Sequence, residues 1–284
     1  MKKQYEVLKW ASLFLEKYNR ESRVAEILLQ HHLQATRSEF YMNMQEAIPE
    51  AITKKYQADI ENHAITGIPV QHLMGYEVFY GRAFSVNKHV LIPRPETEEL
   101  VQQVIKVAKN SKVKQPVIAD IGAGSGIIAI TLAQELPNAK VYATDISEDA
   151  LKTAKKNAEQ LQADVTFLRG DFLGPLINKH IETDIIVSNP PYIASSEKAA
   201  MSDTVINFDP ELALFAEEEG LAAYKKIITQ STKITKPESA LAFEIGYLQG
   251  ESVSELIKRA YPETAVQIIQ DINQKDRIVF AKLK

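Results

Sequence analysis

The sequence predicts an α/β fold: a doubly wound, mostly parallel sheet closed by an antiparallel C-terminal hairpin, preceded by a small N-terminal helical bundle and a β-hairpin linker. Three observations carry that expectation. Apolar residues recur at helical spacing up to about residue 66, the stretch 67–92 is β-like, and from residue 93 onward short apolar runs alternate with amphipathic stripes. At 284 residues and 45% hydrophobic content, the chain is long enough for two domains and a full core.

In residues 1–75 the apolar stripes are Val7, Trp10, Phe14 and Tyr18, then Val24, Ile27 and Leu28, then Phe40, Tyr41 and Met44, then Ile52, Tyr56 and Ile60. They predict four helices packed through aromatic-rich stripes, with Pro49 near the start of the fourth, where its missing N–H is harmless. Gly67-Ile68-Pro69 breaks that helix. Gly75–Tyr80 reads as a strand, with Phe84–Val86 and then Val90–Ile92 as its return, so residues 76–92 are expected to form a hairpin linker. Residues 93–284 are left for the α/β domain. Pro93-Arg94-Pro95 fixes an extended entry into it, Thr97 is placed to cap, and Glu96, Glu98 and Glu99 favour the first turn of a helix running to about Ala108; because the segment leads into this domain, the alternative is that Arg94 or Thr97 lines a ligand site.

The first strand of that domain, Pro116–Asp120, runs into Gly122-Ala123-Gly124-Ser125-Gly126 and then a helix bearing Ile127, Ile130, Leu132 and Leu136. Glycines there let the backbone turn tightly and approach a ligand, and the helix start offers free N–H groups. The spacing G-x-G-x-G departs from the dinucleotide pattern, whose third glycine would stand where this chain has Ile127, and so counts against NAD. The next strand, Lys140–Thr144, ends in Asp145, about where such folds place a carboxylate for ribose hydroxyls. Val165–Arg169 ends at Gly170-Asp171-Phe172, which offers an acceptor for an adenine amine and a ring for its face.

The strand Asp184–Ser188 ends in Asn189-Pro190-Pro191-Tyr192. Each proline fixes its own φ, lacks an N–H and holds the preceding residue extended. The Asn189 side-chain oxygen and the Pro190 carbonyl are thereby two preset acceptors suited to the hydrogens of a planar –NH2 group, with Tyr192 to cover its face. Each of these elements alone also fits a turn, a cap or a core position. Their order points to a ligand site at the carboxyl ends of neighbouring strands. Beyond them, a helix over Gly220–Lys233, a strand over Ala240–Ile245 and a helix over Gln249–Tyr261 lead to two closing strands, Val266–Gln270 and Arg277–Leu283.

Composition excludes several classes. Without cysteine there are no disulfides, no thiolate catalysis and no cysteine-ligated metal, and the six histidines include the pair His31-His32 but no H-E-x-x-H, so no metal is expected. Glu6, Lys9, Glu16 and Lys17 interrupt the N-terminal apolar residues, which leaves no signal peptide or membrane span and predicts a cytoplasmic protein. A net charge of −4 argues against a large sequence-independent nucleic-acid footprint.

With the linker motif Leu91-Ile92-Pro93-Arg94-Pro95-Glu96-Thr97-Glu98, the loop Asp120–Gly126, Asn189-Pro190-Pro191-Tyr192 and Phe243-Glu244-Ile245-Gly246, the chain resembles the release-factor glutamine methyltransferases (PrmC or HemK) over nearly its whole length. The resemblance implies a Rossmann-like S-adenosylmethionine-dependent methyltransferase fold. It also implies methylation of the side-chain nitrogen of the glutamine in the Gly-Gly-Gln motif of peptide chain release factors, with S-adenosylhomocysteine as product. By it, Gly122, Ala123, Gly124, Ser125, Gly126, Asp145, Phe172 and Asn189 contact the cofactor. Asn189, Pro190, Pro191 and Tyr192 hold the glutamine, with Asn189, Pro190 and Tyr192 catalytic, and the helical domain recognises the protein substrate. Phe172 stands where the family often has tryptophan, Asp209-Pro210 where it has Glu-Pro, and the turn Asp271–Arg277 lacks the family's glycine. Three other readings share parts of this pattern: methylation of a glutamine on a ribosomal protein, methylation of a nucleic-acid exocyclic amine, and a non-catalytic S-adenosylmethionine-binding factor. The acidic balance counts against the second and the intact Asn189–Tyr192 motif against the third.

Overall fold

Local chemistry sets the helix ends of the N-terminal unit. A computed structural model describes residues 2–284, and this unit ends at Tyr76 and also takes in Ser202–Phe208. Its helices are α1 (Gln4–Lys17), α2 (Arg23–Leu33), α3 (Arg37–Met42), α4 (Glu50–Thr66) and α5 (Val70–Met74). Thr36 and Glu39 exchange side-chain and backbone hydrogen bonds to close the start of α3, while Gly67 and Gly75 end α4 and α5 in the left-handed region at φ 74° and 80°. The short α5 was not expected, because five residues are too few to show a helical period.

The aromatic stripe of α1 is not the buried one. Val7, Ala11 and Leu15 enter the core beside Leu28, Phe40, Tyr56 and Ile60, while Trp10, Phe14 and Tyr18 stack on one another along its flank. The four-residue spacing of Val7, Ala11 and Leu15 keeps these small and aliphatic side chains on the packed face, where helices approach closely.

The second unit begins at Glu77, within β1 (Tyr76–Phe79), which forms a hairpin with β2 (Arg82–Ser85). It is part of this unit rather than a separate linker. Phe79 and Phe84 are buried in the same core as Leu100, Val104 and Ile128, and the Asn157 carboxamide pairs with both the N–H and the C=O of Ser85. Val90–Ile92, expected as part of the return strand, is not a strand: Asn87 bonds His89 N–H and the Thr153 hydroxyl, and Val86 and Val90 pack on Ala150 instead.

The remaining elements are α6 (Glu96–Asn110), β3 (Val117–Ile121), α7 (Ile127–Glu135), β4 (Lys140–Asp145), α8 (Glu148–Leu161), β5 (Val165–Arg169), α9 (Gly174–Asn178) and β6 (Thr183–Ser188). After a two-residue strand β7 (Ile193–Ala194) and a 3₁₀ turn come α10 (Asp203–Phe208), α11 (Glu211–Leu214), β8 (Phe215–Ala216), α12 (Ala222–Ser231), β9 (Thr235–Glu244), α13 (Gly250–Ala260), β10 (Ala265–Gln270) and β11 (Asp276–Lys282). The seven-stranded sheet runs β10-β11-β9-β6-β3-β4-β5, parallel from β9 to β5 and antiparallel at β11 and β10, as expected. One face is covered by α6, α7 and α8, the other by α9, α12 and α13. The strand β9 begins earlier than its apolar run at Ala240, because the pairing with β6 shifts register near Glu238, which sits at φ 62°. Among the described residues no helix is long and apolar enough to cross a membrane.

Between β3 and β6 the strand order reverses: β4 and β5 lie on one side of β3, β6 and β9 on the other. Open α/β sheets bind ligands at such a switch point, beyond the carboxyl ends of the strands.

Candidate active site

A cavity of about 280 Å³ opens at that point, wholly within the second unit. It is lined by Gly122, Ala123, Gly124 and Ser125 after β3, by Thr144 and Asp145 at the end of β4, by Asp171 and Phe172 after β5, and by Asn189 and Pro191 after β6. Val90, Leu91, Pro93, Arg94 and Thr97 line it from the segment before α6, and Pro210, Leu212 and Ala213 from the neighbourhood of α11. The sequence-expected residues therefore converge, with three exceptions. Gly126, Pro190 and Tyr192 are not on the cavity wall.

Gly126 has a packing role. At φ 86°, a side chain there would bring its Cβ within 2.8 Å of Ile130 and 3.1 Å of Ala154, so glycine lets α7 and α8 approach. At Gly124, by contrast, a Cβ would meet nothing within 4 Å: the space beside it is open. Pro190 is buried, and Tyr192 is half-buried against the core beneath α12 and α13, its carbonyl accepting from Gln249 Nε2 at 2.9 Å.

Two carboxylates organise the glycine loop. Asp120 is fully buried and accepts from Ala129 N–H at 3.1 Å in the first turn of α7, while its second oxygen has no hydrogen-bond partner among the described residues. Burial pushes its carboxyl up to about 7, against the Ala129 N–H and with the help of nearby Asp145. Asp145 accepts from Gly124 N–H at 2.9 Å and Ser147 N–H at 2.8 Å, and burial raises its pKa despite those bonds. The Thr144 hydroxyl beside it is buried with no partner among the described residues. An open space at Gly124, a carboxylate and an unpartnered hydroxyl on one wall fit a hydroxyl-bearing nucleoside.

Phe172 adopts φ 47°, a left-handed conformation rare for an aromatic residue, and this turns it onto the cavity wall. Lys226 pairs with Asp171 and lies 5.5 Å above the Phe172 ring.

Asn189 is held from behind. Its Nδ2 donates to Thr97 Oγ1 at 3.2 Å, and Thr97 Oγ1 in turn donates to Glu244 Oε2 at 2.6 Å. Thr97 is therefore not a helix cap: α6 begins at Glu96 with Pro95 at the cap position, and the hydroxyl is spent on Glu244. Glu244 is buried, and desolvation raises its carboxyl to about 7, against the Thr97 hydroxyl and nearby Arg277. The Arg277 guanidinium donates to Asp271 and to the Ile245 carbonyl. Arg94 donates to Asp209 at 2.8 Å. Local sequence pattern does not mark Glu244 or Arg277 as neighbours of the site. Their neighbours are distant in sequence, and only Glu244's place in the Phe243–Gly246 motif marked it.

Comparison with known proteins decides the family. A PrmC N-terminal domain matches residues 6–75 and a methyltransferase small domain residues 97–209. The release factor glutamine methyltransferase of Bacillus cereus is 43% identical over 281 residues, 99% of each chain. That of Bacillus subtilis is 42% identical over 283 residues, 99% of this chain and 98% of the relative. The chain belongs to the release factor glutamine methyltransferase family. It is an S-adenosylmethionine-dependent methyltransferase. A methyltransferase from Pyrococcus furiosus shares the fold at a TM-score of 0.52 and 17% identity, over 82% of this chain and 98% of that one.

Proposed function

We propose that this protein transfers a methyl group from S-adenosylmethionine to the side-chain amide nitrogen, N5, of the glutamine in the Gly-Gly-Gln motif of peptide chain release factors. The observation that carries the reading is the anchoring of Asn189. Its carboxamide nitrogen is engaged by Thr97, which leaves Oδ1 to accept from a substrate N–H on a wall shared with the glycine loop.

The loop Gly122–Ser125 with Asp145 and Phe172 would hold the cofactor, which supplies an electrophilic methyl carried on a sulfonium sulfur. The work of the chain is positioning. An amide nitrogen shares its lone pair with its carbonyl, so an acceptor at Asn189 Oδ1 raises electron density on the nitrogen and orients it; Pro190, buried and off the cavity wall, would add its carbonyl only where the substrate reaches past that wall. The Tyr192 phenol, pushed up to about 12 by burial and by Glu244, stays protonated near neutral pH and is no base for the reaction; it lies off the cavity wall, against the core beneath α12 and α13. Residues 1–75 are the proposed recognition domain for the release factor, and residues 93–284 the catalytic part.

The test is methyl transfer from labelled S-adenosylmethionine to an intact release factor, to its Gly-Gly-Gln variant with alanine for glutamine, to total ribosomal protein and to nucleic acid. Labelling of the first alone is expected. Equal labelling of the first two, or preferential labelling of ribosomal protein or nucleic acid, refutes the substrate assignment. With Asn189→Ala the rate on the release factor should fall by about 10²–10³, and wild-type turnover of the folded variant would refute the role of Asn189.

A further inference from the structure

A carboxamide presents an acceptor and a donor of nearly the same shape, and only one of the two can receive an N–H. Whatever holds Asn189 must therefore choose its flip state as well as its place. Three buried or half-buried groups from three separate elements are linked here: Glu244 at the end of β9, Thr97 in the first turn of α6, and Asn189 just after β6. The β6–β9 register sets Ser188 opposite Phe243, so the residues that follow, Asn189 just beyond β6 and Glu244 as the last residue of β9, lie side by side.

We infer that Glu244 and Thr97 are positioning residues that fix the direction of this chain of hydrogen bonds, so that Asn189 turns its oxygen and not its nitrogen toward the acceptor nitrogen of the substrate. An ionised Glu244 can only accept, so the Thr97 proton points to it. Thr97 Oγ1 then has only lone pairs to offer Asn189, and the carboxamide must answer with Nδ2. Reversing the first bond reverses the last. A protonated Glu244 can donate to Thr97, whose proton then turns to Asn189 and draws Oδ1 away from the cavity. The Glu244 carboxyl, buried and raised to about 7, changes state in the neutral range. The groups facing it are Arg277, which favours the ionised form, Glu96, which opposes it, and Asn189, whose own hydrogen bond favours it. The phenols of Tyr192 and Tyr224 lie in the same field and stay protonated.

The inference rests on Asn189 as the acceptor for the substrate, and the experiment separates the two. Full-length wild type, Thr97→Val, Thr97→Ser, Glu244→Gln and Asn189→Ala are assayed for kcat and KM on an intact release factor between about pH 6 and 8.5, with S-adenosylmethionine affinity measured by calorimetry. Thr97→Val keeps the shape and removes the hydroxyl. Its kcat should fall by about 10- to 100-fold with cofactor affinity within about twofold of wild type, and Thr97→Ser should restore kcat to within about threefold. Wild-type kcat should rise with pH through about 7, and that limb should vanish in Glu244→Gln. Wild-type kcat in Thr97→Val, a Thr97→Ser enzyme no better than Thr97→Val, or an unchanged acid limb in Glu244→Gln would each overturn the relay. Wild-type turnover by Asn189→Ala would overturn the underlying role of Asn189 instead.

Discussion

Gly124 and Gly126 stand two residues apart in one loop, yet substitution should damage different properties of the protein. In Gly126→Ala the new Cβ would lie 2.8 Å from Ile130 Cδ1 and 3.1 and 3.3 Å from Ala154 Cβ and Cα. A left-handed backbone costs a residue with a Cβ about 1–2 kcal/mol, and forcing a methyl into a packed interface typically about 1–3 kcal/mol. The Ile130 methyl can swing aside but the Ala154 backbone cannot, so a loss of roughly 2–5 kcal/mol in stability is expected. In Gly124→Ala the φ of 53° is again left-handed but the Cβ meets nothing within 4 Å, leaving only the backbone part, about 1–2 kcal/mol. Its methyl would instead project into the cavity beside the proposed cofactor position, and S-adenosylmethionine affinity should fall about tenfold or more. Urea unfolding gives the stabilities and calorimetric titration of the folded proteins gives the affinities. If Gly126→Ala is as stable as Gly124→Ala, the packing role of Gly126 is wrong. If Gly124→Ala binds the cofactor like wild type, the cavity does not hold the cofactor at the glycine loop.

Other consequences can be checked separately. Asp120 and Glu244 ordinarily ionise near 4 but are held protonated in the fold to about 7, so between those values the folded chain binds more protons than the unfolded one. Their contribution is present in full below the unfolded value and lost as the pH rises to about 7, roughly 3–4 kcal/mol for each. Urea unfolding across that window should therefore show a shallower decline in Asp120→Asn than in wild type, and an equal decline would mean that Asp120 is ionised throughout. Gln274 sits at φ 61° in the turn before β11, so Gln274→Gly should stabilise the protein by about 0.5–1 kcal/mol, read as a higher urea midpoint at unchanged slope. Asp145→Ala should weaken S-adenosylmethionine binding by about 1–3 kcal/mol, since it strips the acceptor that holds Gly124 N–H and Ser147 N–H. Unchanged affinity by calorimetry removes Asp145 from the site.

Local rules made part of this fold legible in the chain alone. Apolar runs ended by glycine or proline placed β3, β4, β5 and β6 and their exits, because strand period, proline stiffness and glycine freedom act within a few residues. Alternation of strand and helix then set the parallel sheet and its switch point, and with it the meeting of Gly124, Asp145, Phe172 and Asn189. How those groups are held depends on contacts between distant segments. The segment Ser202–Phe208 joins the N-terminal unit through Asp203, gripped by Arg20 at 2.8 and 2.9 Å across 183 residues of sequence. Val90–Ile92 left the sheet for the cavity wall because Asn87 found partners on α8 and its own loop. Thr97 gave up the role of cap for Glu244, 147 residues away, and so reached Asn189, 92 residues away. Such bonds depend on the register of β6 against β9 and on the seating of α6 across them, and no local period encodes the distance between two side chains brought together from separate elements.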